Sequence, residues 1–252
     1  MAILFLGATS EIARHNVDFF AAREEHLILV GRNPQKLRSL VTRPDSEFMY
    51  YNASETFQSI LSAEMFWLQC VALARVTWEE PITGIYIAQG MLPSQDSKRW
   101  GDEIEQTVFV NFTSLTIFLE AVARWYETHP FAANGAWITV LSSVAGDRGR
   151  CSNYPYGAAK AGLTAYLSGL RARLQPIGTN VLTVKPGLVQ TRMIADRPQS
   201  KSFLAADPRR VAESIDRAIT NRRNVLYTPW WWRLVMCCVQ LLPECIFKRL
   251  RF

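Results

Sequence analysis

Tyr156 and Lys160 stand four apart in the stretch NYPYGAAKAG (153–162). On a helix that spacing puts both side chains on one face. A free phenol, with a pKa of about 10, is a poor acid or base near neutrality. A nearby ammonium favours the phenolate and lowers that pKa. The pair is therefore a candidate device for moving a proton. Alone, Tyr-x-x-x-Lys is common and describes two solvent-facing residues, but its surroundings raise its value. Ser143, thirteen residues upstream, ends an apolar run in LSSVAG. Asn111 lies inside a long helical stretch, in FVNFTS, and Pro186-Gly187 closes another apolar run, in KPGLVQT. Pro155 suits the first turn of a helix, where its missing N–H costs nothing.

Hydrophobic patterning supplies the elements that must position these residues. Short apolar runs predict strands over 2–7, 27–32, 47–52, 82–90, 136–143, 180–187 and 224–229. Between them, helices are predicted over 11–23, 34–41, 55–76, 98–126, 154–174 and 208–220. Alternating elements with nearly continuous apolar strands predict an α/β fold, a doubly wound parallel sheet covered on both faces. Ligands in such sheets bind at the carboxyl ends of the strands. Gly7, Arg32, Asn52, Ala88, Gly90, Ser143, Pro186 and Gly187 all fall at such ends. The reading is one Rossmann-like domain over 1–229, followed by a Trp-rich amphipathic segment over 230–252.

The 252 residues, 49% of them hydrophobic, suffice for one large core. The net charge of +6 is mildly basic, and no basic stripe with interleaved aromatics points to nucleic acid. Five cysteines, an odd number without Cys-x-x-Cys or Cys/His pairing, argue against a disulfide framework and against a metal site. Reduced thiols suggest the cytoplasm. The apolar run at 2–6 is too short for a signal peptide.

The ordered set Asn111, Ser143, Tyr156, Lys160 and Pro186-Gly187 resembles the short-chain dehydrogenase/reductase family, over about residues 2–229. The resemblance implies hydride transfer between a nicotinamide cofactor and a carbonyl. Tyr156 would protonate the developing alkoxide, and Ser143 would hold the carbonyl oxygen. Lys160 would tune Tyr156 and bond the nicotinamide ribose, while Asn111 would anchor a water leading to solvent. Gly187 would let the chain approach the nicotinamide closely. The Val189 backbone and the Thr191 hydroxyl would hold the carboxamide. The family's Asn-Ala-Gly after the fourth strand is only partly kept, as Ala88-Gln89-Gly90.

The opening loop departs further. The family pattern is a glycine, three residues, then Gly-Ile-Gly. Here it reads Gly7, Ala8-Thr9-Ser10, then Glu11-Ile12-Ala13. Glu11 puts a side chain and a negative charge where the second glycine lets backbone approach pyrophosphate. It is expected to point away from the phosphates. Thr9, Ser10 and the helix N-terminus compensate with donors. Arg32, in VGRN, suits a 2′-phosphate, and no acidic residue lies between Leu27 and Leu40, so NADPH is expected over NADH. Asn52 takes the place beside the adenine.

The tail reads TPWWWRLVMCCVQLLPECIFKRLRF (228–252). Its apolar run stops at Pro243 and is too short to span a bilayer. Tryptophans, an apolar face and basic ends suit an interfacial anchor at the inner face of a membrane. A helix docked on the body, or at an oligomer interface, and a lid over the substrate pocket are the other uses. The GATSEI loop and this tail look like the branch of the family containing decaprenylphosphoryl 2-keto-ribose reductases. That branch reduces a keto-sugar on a polyprenyl phosphate, a cell-wall polysaccharide precursor. It completes a 2′-epimerisation begun by a flavin-dependent oxidase. Reduction of another lipophilic ketone (a steroid, a 3-ketoacyl chain, a sphingoid base) would use the same set. A non-catalytic dinucleotide-binding protein is the reading from another class, motivated by Glu11. The family often forms dimers or tetramers, so a homo-oligomer built on 98–126 and 154–174 is also implied.

Overall fold

All five residues of β1 (Ala2–Leu6) are buried, as a central strand in a sheet covered on both faces must be. The computed structural model describes residues 1–40, 46–93, 100–195, 202 and 204–250. After β1 come α1 (Glu11–Ala21), β2 (His26–Gly31), α2 (Pro34–Arg38), β3 (Glu47–Tyr50), α3 (Ala53–Thr56), α4 (Ile60–Trp78) and β4 (Ile82–Ile87). Then follow α5 (Trp100–Val108), α6 (Ser114–Thr128), α7 (Pro130–Ala133), β5 (Trp137–Leu141), α8 (Tyr154–Leu174), β6 (Asn180–Pro186), α9 (Pro208–Thr220) and β7 (Val225–Thr228). The tail forms α10 (Trp232–Leu241) and α11 (Glu244–Phe247).

The seven strands run in the order β3-β2-β1-β4-β5-β6-β7, every pairing parallel. The order reverses between β1 and β4, and that switch point opens a crevice beyond their carboxyl ends. The period of two along β1 divides the core. Leu4 and Leu6 face one side, with Phe57, Trp67, Phe118 and Leu163 from α4, α6, α8 and the α3–α4 link. Ile3 and Phe5 face the other, with Val17, Phe20 and Ile215 from α1 and α9.

Several boundaries differ from the sequence reading. The helix expected over 55–76 is two helices, because Ser59 starts α4 afresh by exchanging capping bonds with Ser62. The helix expected over 98–126 is interrupted by a π turn at Phe109–Thr113, and residues 98 and 99 lie outside those described. The fourth and fifth strands stop short, at Ile87 and Leu141, because Ala88–Gly90 and Ser142–Ser143 turn into the crevice. The helix expected over 34–41 ends at Arg38, and Val41 lies outside the described residues.

Candidate active site

The corner between β5 and α8 is held by close backbone packing. A Cβ at Gly146 would lie 2.7 Å from the Ala161 nitrogen, and one at Gly157 would lie 2.9 Å from the Ala145 carbonyl oxygen. The 3₁₀ turn Val144–Gly146 is therefore pressed onto the first turns of α8. Pro155 occupies the start of that helix, as expected. Buried Ser142 fastens the junction from inside, donating to the Lys160 carbonyl at 3.1 Å and pairing with Thr164 Oγ1 at 2.8 Å. Ser143 caps the turn by accepting from the Ala145 N–H at 3.1 Å. That bond uses an oxygen lone pair and leaves the hydroxyl hydrogen to donate.

Lys160 is buried, and its Nζ donates to the Leu141 carbonyl at 2.9 Å. Nζ lies 5.8 Å from the centroid of the Tyr156 ring. Desolvation pulls the lysine pKa down to about 7. Asn111 is fully buried in the π turn. Its Nδ2 donates to the carbonyls of Met91 (2.8 Å) and Thr107 (2.9 Å), and its Oδ1 accepts from the Met91 N–H at 3.2 Å. The side chain thus splints the segment after β4 and keeps one lone pair for a water. A Cβ at Gly90 would come within 3.1 Å of that Oδ1, so a larger residue there would crowd the splint. Gln89 ties the same segment to Val110 O and Ser114 Oγ.

Gly7 has φ +83 and packs against the backbone after β4, where a Cβ would lie 2.8 Å from the Gln89 nitrogen. Only glycine meets both demands without strain. Ser10 occupies the N-cap of α1 without a side-chain capping bond. The first-turn amides of a helix, here those of Glu11, Ile12 and Ala13, lack carbonyls four residues back. Glu11 turns to the far side of the crevice. Its Oε2 accepts from the Arg192 N–H at 2.5 Å, and its Oε1 lies 3.4 Å from the Arg192 Nε. The carboxylate is thereby neutralised by a residue 181 positions away.

Arg32 lines the crevice as expected, joined by Arg14 and Lys36, which sequence reading did not single out. Asn52 lines it too, donating to Glu55 Oε1 at 2.7 Å. On the other side, Val189 bridges to Ala206, but the bonds use the Ala206 and Gln190 amides, so the Val189 N–H is left over. The Thr191 hydroxyl makes only a long bond, 3.4 Å, to the Val189 carbonyl. Gly187 has an ordinary φ; its need is space, since a Cβ there would fall inside the indole of Trp232.

Trp232 belongs to the tail, which is docked rather than free. Trp232 and Met236 are buried with Val144 and Leu188 in one cluster, and Phe247 is buried farther along the tail. Arg148 clasps the tail. Its Nη1 donates to the carbonyls of Val239 (2.5 Å) and Leu242 (2.6 Å), its Nη2 pairs with Glu244 at 2.9 Å, and the guanidinium lies 3.8 Å from the Phe247 ring centroid. Next to it, buried Asp147 pairs with Lys185 at 2.5 Å and accepts from Tyr227 at 3.0 Å. The outward face of α10 stays open, with Trp230 at 73% and Leu241 at 78% exposure beside Leu234 and Val235.

One cavity of 1310 Å³ joins these parts. It runs from Arg32 and Asn52, past Gly7, Thr9, Ser10 and Ile12, to Ala88, Gly90, Ser143, Tyr156, Lys160, Pro186 and Gly187. Every candidate residue named from the sequence lines it except Asn111, which stands directly behind Gly90. The cradle fits a dinucleotide: the Thr9 and Ser10 hydroxyls have no protein partner among the described residues, and amides stand over a helix N-terminus. Arg150 and Trp232 line the cavity as well, and no local pattern marked them. Among the described residues, no group of His, Cys, Asp and Glu could hold a metal.

Comparisons with known proteins bear on the family and the fold. A family model described as short chain dehydrogenase matches residues 1–202. An uncharacterized oxidoreductase, Rv2073c of Mycobacterium tuberculosis, is 36% identical over 147 residues, which cover 58% of this chain and 55% of the relative. The chain thus matches about half the length of that curated relative. A solved short-chain dehydrogenase from Sphingobium yanoikuyae, in complex with NADPH, has a TM-score of 0.76 at 20% identity over 96% of each chain. Another, from Burkholderia cenocepacia in complex with NADP, has a TM-score of 0.74 at 15% identity, covering 96% of this chain and 98% of that one.

Proposed function

This chain belongs to the short-chain dehydrogenase/reductase family, and from that premise we propose that it is an NADPH-dependent reductase of a lipid-carried carbonyl, best read as the keto-sugar of a polyprenyl-phosphate-linked pentose. One observation carries the reductase reading: Ser143, Tyr156 and buried Lys160 line a single cavity at the carboxyl end of β5. The nicotinamide, when bound, supplies the hydride. Gly7, Thr9, Ser10, Ile12 and the first-turn amides of α1 would hold its pyrophosphate. Arg32 and Lys36 would meet a 2′-phosphate, which favours NADPH over NADH, and Asn52 would flank the adenine. Val189 N–H and the Thr191 hydroxyl would hold the carboxamide.

The chain's own residues then handle the proton. Ser143 donates its hydroxyl hydrogen to the carbonyl oxygen and orients it. Tyr156 gives its phenolic proton to the same oxygen as negative charge develops there. The Lys160 ammonium steadies the phenolate left behind. Its pKa, held near neutrality by burial, leaves it responsive to that new charge. Asn111 keeps Gly90 and Met91 in place.

The lipid-carried substrate is supported by the tail. Leu234, Val235 and Leu241 form an exposed apolar face on the helix that also walls the cavity, extended by Trp230 just before it, with exposed Arg233, Lys248 and Arg249 beside them. That combination suits the inner surface of an anionic membrane. The apolar wall would serve another lipophilic ketone equally well. A homo-oligomer packed through α5, α6 and α8, and a flavin-dependent oxidase acting before this enzyme, complete the reading.

Tyr156→Phe tests the chemistry. Turnover should fall by about 10²- to 10⁴-fold, while quenching of tryptophan fluorescence by NADPH should persist and NADH should bind more weakly. Failure of both dinucleotides to bind would overturn the reductase reading. Leu234→Asp combined with Leu241→Asp tests the tail. The wild-type chain should float with anionic vesicles and the variant should not; equal flotation would remove the membrane reading.

A further inference from the structure

Among the described residues, no carboxylate pairs with Arg150, which lines the substrate end of the cavity. It follows the Val144–Gly146 turn and lies six residues before Tyr156, close enough for the two to interact electrostatically. Its side chain is largely withdrawn from water, and burial depresses its pKa. Its Nε is shielded from solvent and has no hydrogen-bond partner among the described residues. A guanidinium presents five donors, and an Nε–H left unmet out of water is costly.

Among the described residues, the nearby acids are committed elsewhere. Asp147 pairs with Lys185 and Tyr227, Glu244 with Arg148, and Glu11, the one carboxylate lining the cavity, with Arg192. The anions of a dinucleotide would be served across the sheet, by the loop after β1 and by Arg32 after β2. Arg150 follows β5, on the other half of the sheet. Asn153 adds a second unmet atom in the same lining, a buried Oδ1 without a donor.

We infer that Arg150 is the substrate-recognition residue for an oxyanion, a phosphate or carboxylate group carried by the carbonyl substrate close to the carbon that is reduced. The guanidinium fork matches such a group in two parallel bonds. This deepens the reductase reading and rests on it for the identity of the ligand as a substrate. A lipophilic ketone without an acidic group would leave the guanidinium unpaired and be a poor substrate.

Phenyl phosphate, titrated into the full chain by calorimetry, tests the inference, with benzyl alcohol as the uncharged control. With NADPH bound, phenyl phosphate should bind saturably and benzyl alcohol should not. Arg150→Met should weaken phenyl phosphate about ten- to a hundredfold, and Arg150→Lys should fall between, with NADPH affinity unchanged in both. A role confined to tuning Tyr156 would shift the pH profile of turnover and leave phenyl phosphate affinity as it was; that result overturns the inference. So does equal binding by wild type and Arg150→Met, or no binding by wild type. The same comparison on the cofactor-free chain judges Arg150 even if NADPH does not bind, so the two readings fail separately.

Discussion

Arg148 and Arg150 lie two residues apart in one loop, and the structure treats them oppositely. Arg148 faces outward onto the tail and meets carbonyls, a carboxylate and an aromatic ring. The carbonyls close the end of α10, where a helix has acceptors to spare and favours a positive charge. Arg150 faces inward, and its buried Nε meets no hydrogen-bond partner among the described residues. Buried polar groups are normally satisfied, so the satisfied arginine reads as structure and the unsatisfied one as a site awaiting a ligand. Lys160 stands between these extremes, fully buried with one carbonyl.

Lys160 gives the largest expected effect. Its folded pKa of about 7 lies well below the ordinary lysine value of 10.5. Between those values the unfolded chain holds a proton that the folded chain lacks, so stability should rise with pH. Below pH 7 both states are charged and the full penalty is present; above about pH 10.5 it is gone. Denaturant melts of wild type against Lys160→Met should diverge by about 2–3 kcal/mol between pH 7 and 9. Parallel curves would mean that the lysine is better satisfied than its single bond suggests.

Arg148→Ala comes next. Losing its charge-assisted bonds should loosen the tail by about 2 kcal/mol, seen as faster amide exchange in α10 and trypsin cleavage at Arg233. Unchanged protection would show that Trp232 and Met236 hold the tail alone. Arg150→Met should have the smallest effect on stability, neutral or stabilising by up to about 1 kcal/mol, because it removes an unpaired, partly desolvated charge. A loss as large as that of Arg148→Ala would erase the contrast between the two arginines.

Much of the candidate site's corner was legible in the sequence. Strand ends are marked where apolar runs stop, and Tyr156, Lys160 and Ser143 take their places from one strand and the helix that follows it. What escaped depends on distant partners. Glu11 is a puzzle within its own loop and is explained only by Arg192. The tail's composition suited either a lipid surface or the protein body. Its buried residues and the Arg148 clasp dock one face, and composition carries no record of a clasp ninety residues upstream. The break before α4 was closer to readable, since Ser59 and Ser62 have capping spacing, but apolar periodicity on both sides hid it.

Gly187 carries a consequence of another kind. The family resemblance ties that glycine to the cofactor, yet here the atom it lacks would collide with Trp232. The genotype at 187 and the presence of the tail are therefore a single heritable trait. A descendant that discarded residues 230–252 could accept alanine at 187 as far as this contact is concerned. A descendant that accepted alanine first would have to displace Trp232. Across lineages, a side chain at 187 and a tryptophan at 232 should be mutually exclusive.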